Sequence, residues 1–424
     1  MSLLSPALQK FYSALKNLKQ FSVENGFFDN ISCIDNFLSE YRSTTLVIPV
    51  SLGDKTNPVY TKNLNEYILK DEKLSKWLND QRVNVVHKHP FKLKKILRII
   101  IYDSVDSVVF SNYEQTIEDN EPIGDYLEEL RREFRSINVA EINFSAQYLF
   151  VEENDQKCIS IFDFIDHGVM AMWQFLHAMK VDLNDNSDVA NSLIREIDLM
   201  VRDLPRHWII DVIDYCYNSS TDKFERGNIF AMVLPEMRIS GDIIWNQIKQ
   251  MSPAICDFYD AFICLHAFIY VEQKHNLMST FFIEYDDGSY QTIVFSFSLR
   301  TTMYRYINRV ASIIKENNIK TVYLVTETVG YGAIDIRKAH KLLLQSYEGR
   351  KQFRTTTYLS FYKVNSDGDI FPIMMNADDL VDSLSMSVAF GKMKTTKQPE
   401  QECLMMTPIV EAFKAKKKHN RKEK

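Results

Sequence analysis

The spacing of the hydrophobic residues changes near residue 95, and this change constrains the fold more than any other feature of the chain. Before that point, apolar side chains such as Leu8, Phe11 and Leu15 recur every three or four positions, which is the spacing of one buried face of a helix. Beyond it come short segments such as "LRIIIYDSVDSVVF" (residues 97–110), which are typical of strands. The change predicts an α+β multidomain protein.

Four helices are predicted before the change. The second carries an apolar stripe that Pro49 is expected to end, because proline lacks the N–H that a helix interior needs. A third helix covers residues 60–69, and a fourth begins near Asp71 and ends before Pro90. Short connections between consecutive helices favour antiparallel neighbours. The sequence therefore predicts an N-terminal antiparallel four-helix bundle over residues 1–95 that folds on its own.

The remainder divides into three further parts. Residues 96–277 are predicted to form a mostly helical middle region with some strands, in which helices return from about residue 158 to residue 275. Residues 278–390 predict an α+β C-terminal domain in the order β-β-α-β-β-β. Its two hairpins are expected at Asp287-Gly288 and Asp367-Gly368, because these pairs accept the positive backbone angles of tight turns.

The last part, residues 391–424, predicts a basic flexible tail. Its final eleven residues contain seven Lys or Arg and one Glu. Such a run is usually a solvated end, and it can also add non-specific affinity for phosphate.

Composition narrows the class of protein. The 424 residues carry a net charge of −6, so the chain as a whole is not a basic nucleic-acid binder. We expect a cytoplasmic location and no membrane association, because no apolar run reaches the roughly 18 residues of a membrane span and the six cysteines include no C-x-x-C pair. We expect no cofactor and no metal, because no nucleotide-binding, hydrolase or zinc motif of high specificity occurs.

The segment "WLNDQRVNVVHKHP" (residues 77–90) carries the residue types that metal-free RNA cleavage requires. A histidine suits proton transfer near neutral pH, and an arginine suits a phosphate because its planar fork donates two parallel hydrogen bonds. Arg82 with His87 or His89 could supply both. On a regular helix His87 lies about 140° around the axis from Arg82, so they meet only if the last turn loosens or a symmetric partner brings a second copy.

The bundle and this segment resemble the HEPN family, whose helical bundles carry R-x4–6-H after an apolar helix. "FLSEYRSTTLVI" is similar to the second helix of that family, and "WLNDQRVNVVHKHPFKLKK" is similar to its motif helix and exit. The resemblance covers roughly residues 8–100. The sequence departs from the family at Val83, where a polar residue is usual.

The resemblance implies a homodimer, formed through the N-terminal bundle, with a composite site for RNA. Arg82 would hold the scissile phosphate, and His87 would act as general base or acid, with His89 as its substitute. Asn84 and Lys88 would bind the substrate. The expected function is a metal-independent RNA endonuclease, a toxin or antiviral defence effector that the C-terminal regions regulate.

Two alternatives remain open. The chain contains a second pair, Arg202 and His207, around Pro205, where a corner between helices is predicted. By the same standard, residues 82–89 could form an exposed turn with a histidine at the negative end of a helix. The bundle would then be a catalytically silent binding or dimerisation module.

Two further patterns contain residue types that bind ligands or metals. In the C-terminal domain, Glu327, Gly330 and Gly332 follow a buried strand and could hold a small-molecule ligand. Asp163 and His167 have the four-residue spacing of metal ligands on a helix, but no third ligand is evident. A structural role is predicted for this second pair.

Overall fold

The computed structural model is a mixed α+β structure with two antiparallel sheets, which confirms the predicted class. It describes residues 2–22, 25–117, 123–137, 139–153, 160–209, 212–227, 229–237, 246, 257–273, 277–331, 342, 350, 352–380 and 404–422. The chain divides into two compact units. The first comprises residues 1–98, 114–123 and 147–212, and the second comprises residues 99–113, 124–146 and 213–424.

The N-terminal region is helical, as the stripes predict. The helices of the first unit are α1 (Ser5–Leu18), α2 (Phe27–Leu52), α3 (Pro58–Asn63), α4 (Glu72–His87), α6 (Ile161–Asp182) and α7 (Asp188–Ile209), and a π-helical turn (Leu64–Ile68) follows α3. The stripes of α1 and α2 are buried, from Leu8 to Leu18 and from Ile34 to Ile48. Helix α7 continues through Pro205, so the predicted corner there is wrong.

The core of the N-terminal helices continues into α6 and α7. Met172, Phe175 and Leu176 of α6 are fully buried in the same cluster as Phe11 and Phe37. The π-helical turn, α3 and α4 contact α6, while α1 contacts α7. A chain that ended at residue 95 would therefore leave this shared core open on one side.

Helix α2 passes through Pro49 and ends at Gly53, so the predicted stop at the proline is wrong. Gly53 has a φ of 67°, a left-handed conformation that terminates helices and suits glycine. Pro49 removes the N–H that would bond to the carbonyl of Thr45, four residues earlier. The hydroxyl of Tyr60 donates to that carbonyl instead, at 3.1 Å. A side chain from α3 thus satisfies the backbone group that the proline leaves open.

We predict that Tyr60→Phe lowers the free energy of unfolding by about 1–3 kcal/mol, because it leaves a buried carbonyl unsatisfied. The loss should shrink in a Pro49→Ala background, where the restored N–H can bond to Thr45. Urea melts of the two single variants and the double variant measure this coupling. Equal losses in both backgrounds would show that the hydroxyl does not compensate for the proline.

The N-terminus is tied to the start of α7 through Asp185. Its carboxylate accepts hydrogen bonds from the hydroxyl of Ser2 at 2.7 Å and the N–H of Leu4 at 3.1 Å. It also accepts one from the hydroxyl of Ser187 at 2.8 Å. Burial acts to raise the pKa of Asp185, but these hydrogen bonds outweigh burial and lower the pKa to about 2.

Because the folded pKa of Asp185 is depressed, its contribution to stability is complete above the unfolded pKa of about 3.9 and disappears as the pH falls toward 2. Asp185→Asn should therefore flatten the loss of stability between about pH 4 and pH 2. Thermal melts across this range provide the measurement, with Asp188→Asn, at an exposed carboxylate, as the control. An unchanged slope in Asp185→Asn would contradict the assignment.

The first sheet has the strand order β2-β1-β3-β4-β5. Its strands are β1 (Leu93–Tyr102), β2 (Val109–Ile117), β3 (Glu141–Glu152), β4 (Val212–Asn218) and β5 (Lys223–Arg226), and α5 (Ile123–Phe134) lies between β2 and β3 in the chain. The segment 97–110, predicted as one strand, contains the turn between β1 and β2. The carboxylate of Asp103 accepts the N–H of Val105 at 2.7 Å and so stabilises that turn.

Helices are predicted to return between about residue 158 and residue 275, but strands occur between residues 212 and 237. These residues form β4, β5 and β6 (Ile229–Met237), and a further helix, α8, covers Phe258–Glu272. Short apolar and aromatic runs such as "VIDYCYN" suit a strand or a buried helix equally well. Pairing decides the outcome here, because β4 pairs with β5 and β6 pairs with β8.

The elements that the structure describes between residues 279 and 331 and between residues 354 and 376 follow the predicted order β-β-α-β-β-β. The elements are β7 (Ser279–Tyr285), β8 (Tyr290–Phe297), α9 (Arg300–Glu316), β9 (Ile319–Tyr331), β10 (Arg354–Asn365) and β11 (Ile370–Asn376), and the second sheet has the order β11-β10-β9-β7-β8-β6. Gly288 and Gly368 have φ values of 78° and 81° in the two predicted hairpins. Both hairpins are antiparallel.

A helix of 16 residues, α10 (Thr407–Lys422), lies within the segment 391–424 in which a flexible tail is predicted. Ile409, Ala412 and Phe413 of this helix are buried with the apolar face of α9. The apolar residues at the start of the segment thus hold the first turns of the helix against the second unit. The basic residues that follow, such as Lys414 and Lys418, are exposed.

Candidate functional site

Helix α4 carries the predicted site, and packing fixes it along its length. The carboxylate of Asp71 caps its first turn by accepting the N–H of Leu74 at 2.9 Å. Leu74 and Leu78 are buried in the core of the first unit. Trp77 stacks on Phe164 of α6 with 4.7 Å between ring centroids. The packing of these residues therefore fixes the position of the helix that carries Arg82 and His87.

The last turn of α4 does not loosen before His87. The carbonyl of Asn84 accepts the N–H groups of both Lys88, at 2.8 Å, and His89, at 2.9 Å, and the helix ends after these bonds. Arg82 and His87 thus remain on a regular helix, about 140° apart around its axis. One chain does not bring these two side chains together.

Arg82 is half-buried and has no ionic partner in the part of the chain that the structure describes. Its Nε atom is buried and has no hydrogen-bond acceptor there. His87 is exposed at the end of the helix. The structure thus holds a guanidinium group in place by packing, without a carboxylate to neutralise it.

The other predicted site residues, Asn84, Lys88 and His89, form contacts with residues close to the C-terminal end of α4. Lys88 Nζ donates to the side-chain oxygen of Asn84 at 3.1 Å. His89 Nδ1 lies 2.9 Å from the carbonyl oxygen of Pro90. Burial raises the pKa of Asp35 on α2, while a hydrogen bond from the N–H of Phe91 and the nearby charge of His89 oppose that rise. The structure therefore brings Asn84 together with Lys88, and His89 close to Asp35.

The other sequence patterns receive structural explanations. An added Cβ at Gly330 would lie 2.5 Å from Tyr358 Cε2, so this glycine permits close packing between β9 and β10. Glu327 accepts the N–H of Leu277 at 3.3 Å, and Gly332 lies outside the described residues. Asp163 and His167 are exposed on α6. Among the described residues, no group of three or more His, Cys, Asp or Glu side chains could hold a metal ion.

A cavity in the first unit was not predicted from the sequence. It has a volume of about 490 Å³, and α2, the π-helical turn, α4 and α6 line it. Its polar lining includes Arg42, Ser75, Lys76 and Asn79. Residues from three separate segments, 41–45, 68–79 and 171, form it, and no local pattern connects these segments. One feature of the sequence hints at this cavity. Two cations, Arg42 and Lys76, flank the apolar stripes of two helices.

Comparisons of the chain with protein-family models, curated protein sequences and solved structures gave no significant match. No helix within the described ranges is both long and apolar enough to cross a membrane. Residue chemistry and geometry are therefore the basis of the functional assignment.

We predict that Arg82→Ala lowers the free energy of unfolding by less than about 1 kcal/mol, because it breaks no ion pair. Arg305→Ala is the matched comparison. The guanidinium of Arg305 donates to the fully buried carboxylate of Asp214 from Nε at 2.9 Å and from Nη2 at 3.0 Å. Its removal leaves a buried charge and should cost about 3–5 kcal/mol. Urea melts of both variants measure the contrast, and a loss at Arg82 as large as at Arg305 would assign Arg82 a structural role.

Proposed function

We propose that the chain is a metal-independent RNA endonuclease of the HEPN type that acts as a homodimer. The observation that supports this proposal is the half-buried guanidinium of Arg82, which has no hydrogen-bond acceptor among the described residues. A buried donor without an acceptor costs free energy, and a phosphate oxygen would supply the acceptor. An arginine held in this way is suited to bind an anion.

The chemistry requires no group beyond these side chains and the substrate. Arg82 binds the scissile phosphate through its fork of donors. His87, exposed at the end of α4, takes the proton from the 2′-hydroxyl of the RNA or gives one to the leaving oxygen. His89 is the substitute for His87, and Asn84 and Lys88 contact the RNA strand. The 2′-oxygen attacks the neighbouring phosphorus, so the product ends in a 2′,3′-cyclic phosphate.

Two copies of the chain complete this site. Because α4 remains helical to His87, Arg82 and His87 of one chain point in different directions. In a two-fold dimer, Arg82 of one protomer can face His87 of its partner, and symmetry then creates two such sites. We further propose that the dimer serves as a toxin or defence effector and that the C-terminal regions regulate it.

The second candidate function is binding without cleavage, in which the first unit dimerises or recognises a partner and the C-terminal domain senses a ligand. Two observations favour it. The helix keeps Arg82 and His87 apart within one chain, and Lys88 is engaged with Asn84. Cleavage assays separate the two functions.

The test is incubation of the purified full chain with total RNA in the presence of EDTA. We expect cleavage to persist, because the mechanism uses no metal, and the products to carry 2′,3′-cyclic phosphates. Arg82→Ala and His87→Ala should each abolish cleavage and leave the mass of the dimer unchanged. His167→Ala, at an exposed histidine of α6, is the control and should retain full activity.

Mixing the two inactive variants tests the composite site. A mixed dimer of Arg82→Ala and His87→Ala protomers contains one intact pair, so random exchange should restore roughly a quarter of the wild-type activity. Restored cleavage supports the dimeric site. Cleavage in both single variants would contradict the assignment of the active site to Arg82 and His87, and the absence of cleavage by the wild-type dimer would leave the binding function.

A further inference from the structure

The cavity described above lies about one helical turn from the predicted catalytic arginine, because Asn79 of α4 lines it and Arg82 follows three residues later. Its volume of about 490 Å³ falls within the range of roughly 300–1,000 Å³ that is usual for small-molecule sites. The π-helical turn forms part of its wall, and the N–H of Leu69 donates to the carbonyl of Leu64, five residues earlier, at 3.0 Å. Such turns occur frequently at functional sites.

The lining of the cavity combines an apolar wall with free cations. Ile68, Leu74 and Leu78 provide apolar surface. The guanidinium of Arg42 donates to the hydroxyl of Thr45 at 3.1 Å, and neither Arg42 nor Lys76 forms an ion pair within the described part of the chain. Glu72 contributes one carboxylate to the lining. Two cations, one carboxylate and an apolar wall together favour an anionic ligand that also has an apolar or aromatic group.

Helix geometry places Arg82 on the same face of α4 as the cavity. Arg82 follows Ser75 by seven residues, close to two full turns, so both lie on one side of the helix. A helical side chain leans toward the N-terminus and covers the preceding turn. The Cα–Cβ bond of Arg82 therefore leans toward the turn that holds the cavity-lining Asn79, and away from His87 of its own chain.

We propose that this cavity receives one unpaired nucleotide of the RNA, next to the phosphate that Arg82 holds. The base enters between the apolar side chains of α4 and the π-helical turn, where Ser75 and Asn79 offer hydrogen bonds. Arg42 and Lys76 neutralise the adjoining phosphate. This inference rests on the proposed function, since RNA is the substrate of that same site.

Single-stranded RNA is the form that can occupy such a cavity. A base in a duplex is stacked and paired, and its extraction costs free energy, whereas an unpaired base can turn outward and insert into a protein. An arginine can also stack on the inserted base. The cavity thus selects unpaired nucleotides in the substrate, and cleavage should fall within loops and single-stranded ends.

The experiment measures binding of a fluorescent single-stranded RNA of about eight nucleotides in which every 2′-hydroxyl is methylated. This probe lacks the nucleophile, so binding is read without cleavage. Arg42→Gln should weaken binding at least about fivefold, which corresponds to the loss of one stacking or phosphate contact. Ala171→Leu narrows the cavity from α6 without a change of charge and should weaken binding similarly. The same sequence as a duplex should bind more weakly than the single strand.

Arg195→Gln is the matched control, because Arg195 is exposed on α7 of the same unit and its removal changes the net charge equally. Thermal melts establish that each variant is folded. Equal affinity of wild type, Arg42→Gln and Ala171→Leu for the probe would overturn the inference, even if the protein cleaves RNA. Binding of a free mononucleotide as tightly as the probe would also overturn it and would identify a small-molecule site. Weakened probe binding in a protein that cleaves nothing would support the inference and reject only the nuclease.

Discussion

Close packing between α4 and α6 at Gly168 determines where the candidate site stands. A Cβ atom added at Gly168 would lie 2.9 Å from Leu78 Cδ1, so the absence of a side chain allows α4 to approach α6. The carbonyl of the same glycine accepts the hydroxyl of Tyr41 from α2 at 3.0 Å. Three helices therefore meet at one residue. The buried side of α4 is fixed by this contact, and the orientation of every other side chain on the helix follows from it.

The regularity of α4 separates the two halves of the predicted catalytic pair. With Leu74 and Leu78 buried, Arg82 projects along the same side of the helix as the cavity, while His87 points to solvent. A kinked or unwound last turn would have allowed both to meet in one chain. The hydrogen bonds from Lys88 and His89 to the carbonyl of Asn84 keep that turn closed. A single copy of this helix therefore does not bring the two side chains together.

Sequence periodicity correctly predicts those elements whose structure depends only on residues close by in the chain. The stripes of α1 and α2 and the two Asp-Gly hairpins are of this kind, because the next few residues decide their structure. The strands β4 to β6 were missed, since their identity depends on pairing with distant partners. The passage of α2 through Pro49 depends on Tyr60, which no local pattern relates to Thr45. The cavity joins Arg42, Lys76 and Ala171 in the same non-local way.

The free guanidinium of Arg82 connects stability with binding. Desolvation of its Nε atom costs free energy in the folded chain, and no acceptor among the described residues offsets that cost. An anion bound there would supply the acceptor, so occupancy of the site and stability of the first unit are coupled by mass action. The cations Arg42 and Lys76 extend the same local positive potential along one face, although the whole chain has a net charge of −6. Local arrangement, and not net charge, thus determines where this acidic protein can attract an anion.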